Sequence, residues 1–313
     1  MTGPAEVLVC DWGNTNLRAW TLDAEGRVVR EQGFPLGVST LGPGEAERRF
    51  QAEIRPALQA QALPALLCGA VGSTVGWSTA PYAECPASPD DLARALHAPT
   101  ADGWVRIVPG VRWTGFNGQG DVMRGEETQL FGWMAADPAR AHGRHVVCHP
   151  GTHGKWMRLE DGRLTRFISS MTGELYALLR QHSILRASES PDDDFDEDAF
   201  DEDAFDEGVA AAGNGEALAA RLFTVRARVV GYGRPTAGTA SYLSGLMIGA
   251  EVVSTPNLLG VAAGELVDLL GDPRLCALYA RALAARGVKS KTHHGDPAAI
   301  SGLFAIYRKA LNR

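Results

Sequence analysis

Two short turns carry the residues best suited to chemistry. CDWGNTNLRAW begins at Cys10 and CHPGTHGKWM at Cys148. In each, an apolar run ends in Cys, a glycine follows three residues later, and a hydroxyl residue stands next or next but one. A glycine at such an apex lets the backbone approach a ligand closely, with its N–H groups facing an anion. Thr15 and Thr152 add hydroxyl donors. Asp11 supplies the hard oxygen that Mg²⁺ prefers, and Arg18 can reach a transferring phosphoryl group. Two such turns suit a polyphosphate held between them. The simpler alternative for Asp11 is a carboxylate that only caps its turn.

The elements that must position these turns read as an α/β chain. Strands are expected at Val7–Cys10, Leu17–Leu22, Arg27–Glu31, Ala65–Cys68, Trp104–Val108 and His145–Cys148, with a hairpin of Trp156–Leu159 and Arg163–Ile168. Helices are expected at Gly44–Leu58, Asp121–Ala135, Thr172–Gln181, Gly208–Leu222, Thr239–Val253, Pro273–Arg286 and Pro297–Leu311. In the last, Ile300, Leu303, Phe304, Tyr307 and Leu311 recur on one face. Each phosphate-type turn is followed by a strand, an acidic-Gly turn and another strand. Gly13 and Gly151 stand 138 residues apart, close to half the chain. A repeat of that length indicates a duplicated domain, since solenoid periods run about 20–50 residues.

The 313 residues carry 37 acidic against 30 basic side chains, a net charge of −7, with 45% hydrophobic residues. That composition excludes a largely disordered chain and fits two domains. Net acidity argues against nucleic acid as a partner. It is concentrated, though: eleven acidic residues lie between Asp192 and Glu207, around a tandem DEDAF repeat, and the rest is mildly basic. Phe195, Phe200 and Phe205 recur every five residues and build no common helical face. The repeat is expected to form a mobile, solvated loop. Five scattered cysteines without a CxxC pair argue against a disulfide framework and suit the cytoplasm. No apolar run of about 18 residues exists, so no membrane partner is expected. His142, His145, Cys148, His149 and His153 match no standard zinc spacing. GAVGSTVG at Gly69 lacks the GxGxxG fingerprint, and no GxxxxGK[ST] occurs.

Six blocks now reach a family. DWGNTNLRAW, GAVGSTVGWSTAPY, VMRGEETQ, PGTHGKW, MTGELYALL and SYLSGLMIGAEV, in that order, resemble the 2-dehydro-3-deoxygalactonokinase family. MRGEETQ and PGTHGKW are the specific ones. The resemblance spans essentially the whole chain and implies two ribonuclease-H-like domains of the acetate and sugar kinase, Hsp70 and actin superfamily, with ATP in the cleft between them. Residues 1–143 would hold the first phosphate loop and the sugar-acid pocket, and 144–313 the second phosphate loop and the adenosine site. The implied reaction is transfer of the ATP γ-phosphoryl, with Mg²⁺, to the 6-hydroxyl of 2-dehydro-3-deoxy-D-galactonate. A homodimer is the expected assembly.

By the same resemblance, Asp11, Gly13, Asn14, Thr15 and Asn16 form the first phosphate loop, and Gly151, Thr152 and His153 the second. Gly271 and Asp272 would support adenosine. Asn14 stands where Thr or Ser is commoner, and Gly154 where Ser or Cys is commoner. The acidic loop after Pro191 is longer than is usual. In this superfamily the carboxylate that orients the attacking hydroxyl often starts a helix shortly before the second hairpin, which points to Asp121. Glu126 and Glu127 are rivals and substrate-binding candidates, with Arg124 for the substrate carboxylate. Glu127 falls in the apolar arc of its helix with Met123, Leu130, Phe131 and Met134. Ser73, Thr74, Trp77 and Tyr82 are assigned to the sugar-acid pocket, with Trp77 and Tyr82 as plain core residues the alternative. Two other readings stand beside this one. A type III pantothenate kinase shares the DxGNT loop but lacks MRGEETQ and PGTHGKW. A non-enzymatic ATP-binding protein of the actin or Hsp70 kind would need no acceptor.

Overall fold

The computed structural model describes residues 2–115, 118–188, 200–214, 217–262 and 264–312. Two compact units emerge. The first comprises Met1–Arg144, Leu159–Phe167 and His294–Arg313, and the second His145–Arg158 and Ile168–His293. The main run of the first unit ends at Arg144. The C-terminal helix packs in the first unit, although 144–313 was expected to form one domain.

In the first unit, β1 (Val7–Trp12) is buried along its whole length, as a run of apolar side chains requires. It pairs antiparallel with β2 (Leu17–Leu22), which pairs antiparallel with β3 (Val28–Phe34). On its other side β1 runs parallel to β4 (Ala65–Cys68), and β4 to β6 (Val105–Ile107). The sheet order is β3-β2-β1-β4-β6. A three-stranded sheet adds β5 (Tyr82–Glu84), β7 (Gly110–Trp113) and β8 (Asp121–Met123). The expected helix 44–58 is present as α1 (Glu45–Arg49) and α2 (Arg55–Ala57), joined by a π-helical turn at Phe50–Ile54. Phe50 there stacks on Trp12, ring centres 6.5 Å apart, and anchors the core.

The helix expected from Asp121 begins five residues later, as α4 (Glu126–Ala135). Gly125 at φ +113° breaks the run, and Asp121–Met123 pairs antiparallel with β7 instead. Helix α3 (Pro89–Arg94) starts on a Ser88/Asp91 capping box.

The second unit repeats the first. Its sheet order is β11 (Arg163–Ser170), β10 (Gly154–Glu160), β9 (Arg144–His149), β12 (Val267–Gly271), β13 (Ser290–His294), the same connectivity around a parallel β9–β12 pair. The duplication read from two turns thus extends to two five-stranded sheets. Helices α5 (Thr172–His182), α6 (Glu202–Ala211), α7 (Leu218–Val230), α8 (Thr239–Leu259) and α9 (Pro273–Ala284) accompany it, and α10 (Gly295–Leu311) closes the chain.

Helix pairs in both units meet through glycine. A Cβ on Gly208 of α6 would lie 2.1 Å from the Tyr242 carbonyl oxygen, and one on Gly245 of α8 would lie 2.0 Å from that of Phe205. In the first unit, a Cβ on Gly132 of α4 would fall 1.7 Å from the Ala298 carbonyl oxygen of α10. The buried stripe of α10 is therefore Ala298, Ala299, Gly302, Leu303 and Ile306. Of the large residues expected there, only Leu303 is fully buried, and Leu311 is exposed. Small residues win this face because the backbones approach too closely for large ones.

The acidic repeat also differs from expectation. Its first copy lies largely outside the described residues. The second is a docked helix start: Asp201 caps α6 by accepting from the Ala204 N–H at 2.9 Å, and Phe205 is fully buried. Helix α6 replaces the early part of the helix expected from Gly208, and the remainder belongs to α7.

Candidate active site

The turn of residues 13–16 joins β1 to β2. The Gly13 N–H donates to the Asn16 carbonyl at 2.9 Å and closes the turn. The Gly13 carbonyl accepts from the Val38 N–H at 3.1 Å, and the Asn14 carbonyl from the Ser39 N–H at 3.3 Å and the Ser39 hydroxyl at 2.6 Å. In a trans peptide the N–H points opposite its carbonyl. The N–H groups of Asn14 and Thr15 therefore face away from the 38–39 segment, on an exposed turn. Gly37 is required beside it, because a Cβ there would lie 1.9 Å from the Asn14 carbonyl oxygen. Gly37 and Ser39 were not read from the sequence, since their contact with the turn is not local.

Asp11 is nearly buried at the end of β1. Its Oδ2 accepts from Arg18 Nη2 at 2.7 Å and from Gln129 Nε2 at 3.5 Å. Arg18 also pairs with Asp296 at the start of α10. Burial alone would lower the Arg18 pKa, but the two carboxylates Asp11 and Asp296 outweigh it, and the net shift is upward. Behind Asp11 stands Gly69, at φ +90°, where a Cβ would sit 3.2 Å from Asp11 Oδ1 and 2.8 Å from the Trp12 carbonyl oxygen. Gly125 packs on Gly69 in turn, its own Cβ position 3.2 Å from the Gly69 Cα. Two glycines thus bring the start of α4 against the Asp11 wall. Gln129 was missed in the sequence; at 100° per residue it falls on the opposite side of α4 from the apolar arc, so the pattern gave no signal for it.

Among the carboxylates of this region, Asp121 is on strand β8, half-buried, with Oδ1 accepting from the Val122 N–H at 2.7 Å. It is not the helix start on which its expected role rested. Glu126 holds that place, half-buried in the first turn of α4, accepting from the Arg124 N–H at 3.1 Å. Glu127 is fully buried and accepts from the Gly125 N–H at 2.7 Å and the Thr128 hydroxyl at 3.0 Å. Burial, then repulsion from Glu126, pushes its pKa up to about 8. Glu127 is therefore enclosed within the wall.

Arg124 lies over the Tyr82 ring, 4.4 Å from its centre, and donates from Nη2 to the Ala80 carbonyl at 2.8 Å. Its Nε and Nη1 are buried without an acceptor, and so is the hydroxyl of nearby Ser73. Thr74 is exposed beside them, and Tyr82 is 38% exposed. Trp77 differs: it packs on Phe50, ring centres 5.4 Å apart, as a satellite of the core. The Ser78 hydroxyl is hydrogen-bonded to His97 Nε2 at 2.7 Å.

The second unit holds a cavity of about 840 Å³, within the usual size for a ligand pocket. Gly151 and Thr152 of the second turn are among its lining residues. The Thr152 carbonyl accepts from the Glu174 N–H of α5 at 3.0 Å, and Gly173 must be glycine because a Cβ would meet the Gly151 carbonyl oxygen at 2.6 Å. Both turns therefore spend carbonyls on a docked neighbour. His153 is exposed and bonded to Glu174, outside the cavity lining. Gly271 and Asp272 also stand outside the lining: Asp272 caps α9 by accepting from the Leu275 N–H at 2.9 Å, and it is the α9 flank, with Leu275 and Leu278, that forms the wall. Behind it, buried Glu251 accepts from Trp156 Nε1 at 2.7 Å and the Tyr279 hydroxyl at 2.8 Å. A Cβ on Gly154 would sit 3.4 Å from Glu251 Oε1, an ordinary contact, so the space here does not demand glycine.

One sheet order and one phosphate-type turn, each present in both halves, define the actin-like ATPase and sugar kinase fold. The activator of 2-hydroxyisocaproyl-CoA dehydratase from Clostridium difficile, solved with bound ADPNP, shares it at a TM-score of 0.50 and 11% identity, over 98% of this chain and 96% of that one. The model of the 2-keto-3-deoxy-galactonokinase family matches residues 11–306, and the chain belongs to that family. A 2-dehydro-3-deoxygalactonokinase from Escherichia coli (strain K12) is 33% identical over 98% of this chain and 99% of its own length. A crystal structure from Sinorhizobium meliloti, assigned to the same activity, superposes with a TM-score of 0.81 at 34% identity, over 96% of each chain. The pantothenate kinase and non-enzymatic readings give way to a sugar-acid kinase. No helix among the described residues is long and apolar enough to cross a membrane.

Proposed function

We propose that this enzyme transfers the γ-phosphoryl of ATP to the 6-hydroxyl of 2-dehydro-3-deoxy-D-galactonate in the cytoplasm. The observation that carries this reading is the family match, which runs from the phosphate turn at Asp11 to the helix that packs on α4. The second unit supplies the nucleotide half, with Gly151 and Thr152 among the residues that line its cavity. The first supplies Asp11, Arg18 and the acceptor site.

The residues present suit Mg²⁺. No group of three or more His, Cys, Asp or Glu among the described residues could cage a metal, but Mg²⁺ usually takes one or two carboxylates plus phosphate oxygens and water. A single carboxylate at the foot of a phosphate turn is that donor set. Asp11 would hold the ion, directly or through water, and the ion would offset charge on the phosphate oxygens. Arg18 offers its guanidinium to the transferring group, held in place by Asp11 and Asp296. Glu126 orients the attacking hydroxyl in place of Asp121, because it holds the helix start beside Gly69 and Asp11. Arg124 and Ser73 bring buried donors to the substrate carboxylate, since such donors are kept unpaired only at a cost. Thr74 and Tyr82 flank them.

The test is coupled ATP turnover by pure protein with Mg²⁺ and a panel of C6 2-keto-3-deoxy acids. Turnover with the galactonate-derived acid is expected. Absence of turnover with every member of the panel overturns the reading.

A further inference from the structure

The junction of the two DEDAF copies, Phe200 to Glu202, stands beside the cavity of the second unit. Phe200 and Glu202 line that cavity, together with Leu275 and Leu278 of α9 and Met247 of α8. The segment is fastened at successive residues. The Asp201 N–H donates to the Ser241 hydroxyl at 3.0 Å, and Glu202 accepts from Arg281 Nη1 at 2.6 Å. Arg281 also grips Asp206 with two hydrogen bonds, at 2.6 and 2.8 Å. Phe200 rests on the buried Phe205 ring, centres 5.5 Å apart, with 41% of its own surface exposed.

Among the described residues, three aromatic side chains line the cavity. Tyr279 is 1% exposed and its hydroxyl is held by Glu251, while Tyr176 carries the Arg180 guanidinium 5.6 Å from its ring centre. Phe200 presents the most open ring surface of the three. A flat heteroaromatic base gains most from a ring it can stack on, and an apolar wall opposite completes the slot.

We propose that Phe200 is a nucleotide-binding residue whose ring stacks on the base of the nucleotide, positioned by the Glu202–Arg281 and Asp201–Ser241 contacts. The proposal rests on the assignment of this cavity to the nucleotide. The acidic repeat then has a role its charge does not suggest: the Glu202 carboxylate and the Asp201 backbone hold an aromatic ring at the cavity wall.

The test is calorimetric binding of ATP, and of inorganic tripolyphosphate, each with Mg²⁺, to the wild-type enzyme, Phe200→Ala and Phe200→Tyr. Loss of a stacking ring weakens ATP binding by roughly 5- to 150-fold. Phe200→Ala is expected to show that loss while tripolyphosphate binding stays within about twofold, and Phe200→Tyr to keep ATP affinity. Wild-type ATP affinity in Phe200→Ala overturns the stacking role and leaves the nucleotide site standing. Equal weakening of ATP and tripolyphosphate, with loss of helical circular dichroism, makes the ring structural and also overturns it. Absence of ATP binding in the wild-type enzyme overturns the nucleotide assignment itself.

Discussion

A Cβ on Gly302 would lie 1.9 Å from the carbonyl oxygen of Thr128, so α10 crosses α4 backbone against backbone. Thr128 stands one residue after Glu127 and one before Gln129, the side chain that reaches Asp11. The C-terminal helix thus sets the position of the wall behind the first phosphate turn. Gly302→Ala cannot be absorbed by a side-chain rotation, because the atom it meets is backbone. The variant is expected to lose about 1–3 kcal/mol of stability, the usual cost of overpacking. Urea denaturation of the two proteins checks this, and an unchanged midpoint would show that the α4–α10 crossing accommodates a methyl group.

Asp11→Asn keeps the size of the side chain and its acceptor for Arg18 but removes the charge. Turnover is expected to fall at least about 100-fold, the scale seen when one group that stabilises a transition state is removed. Circular dichroism should stay that of the wild-type enzyme. Near-native turnover would show that Asp11 only caps its turn.

Glu126→Gln and Asp121→Asn separate the two candidate bases. General acid–base catalysis is worth about 10²–10⁴-fold. Glu126→Gln is expected to lower kcat by that order with little change in the KM for ATP, and Asp121→Asn by less than about tenfold. The reverse ranking returns the role to Asp121 on its strand.

The hairpins, their turns and the duplication were legible because they are local: Cys10–Leu22 and Cys148–Leu159 each carry apolar alternation and a glycine within a dozen residues. Burial of Glu127 was legible too, from its place among Leu130 and Phe131. What failed was non-local or hidden in one dihedral. Nothing near Ala298 or Gly302 says that α4 lies against them, and large residues at Ile300 and Phe304 suggested the wrong face. One glycine, Gly125, moved the helix start past Asp121. In the acidic repeat, five-residue spacing argued against a helix face, yet a single Asp cap and one buried Phe205 suffice to dock the second copy.

Glu127 gives the enzyme a pH signature. Its folded pKa, pushed up to about 8, exceeds the usual carboxylate value near 4.5. Between those values the folded protein binds more protons than the unfolded chain, so stability falls as pH rises. The contribution is fully present below about pH 4.5, declines through neutrality and is gone above about pH 8. Glu127→Gln keeps an acceptor for the Gly125 N–H and turns its amide toward the Thr128 hydroxyl, with nothing to ionise. Relative to the wild-type enzyme, the variant is expected to gain stability steadily from pH 5 to pH 8, with no further gain beyond. Thermal melts of both proteins at pH 5, 6.5, 8 and 9 read the difference directly. A constant difference across that range would mean that Glu127 is ionised in the fold and that a cation or another donor holds it there.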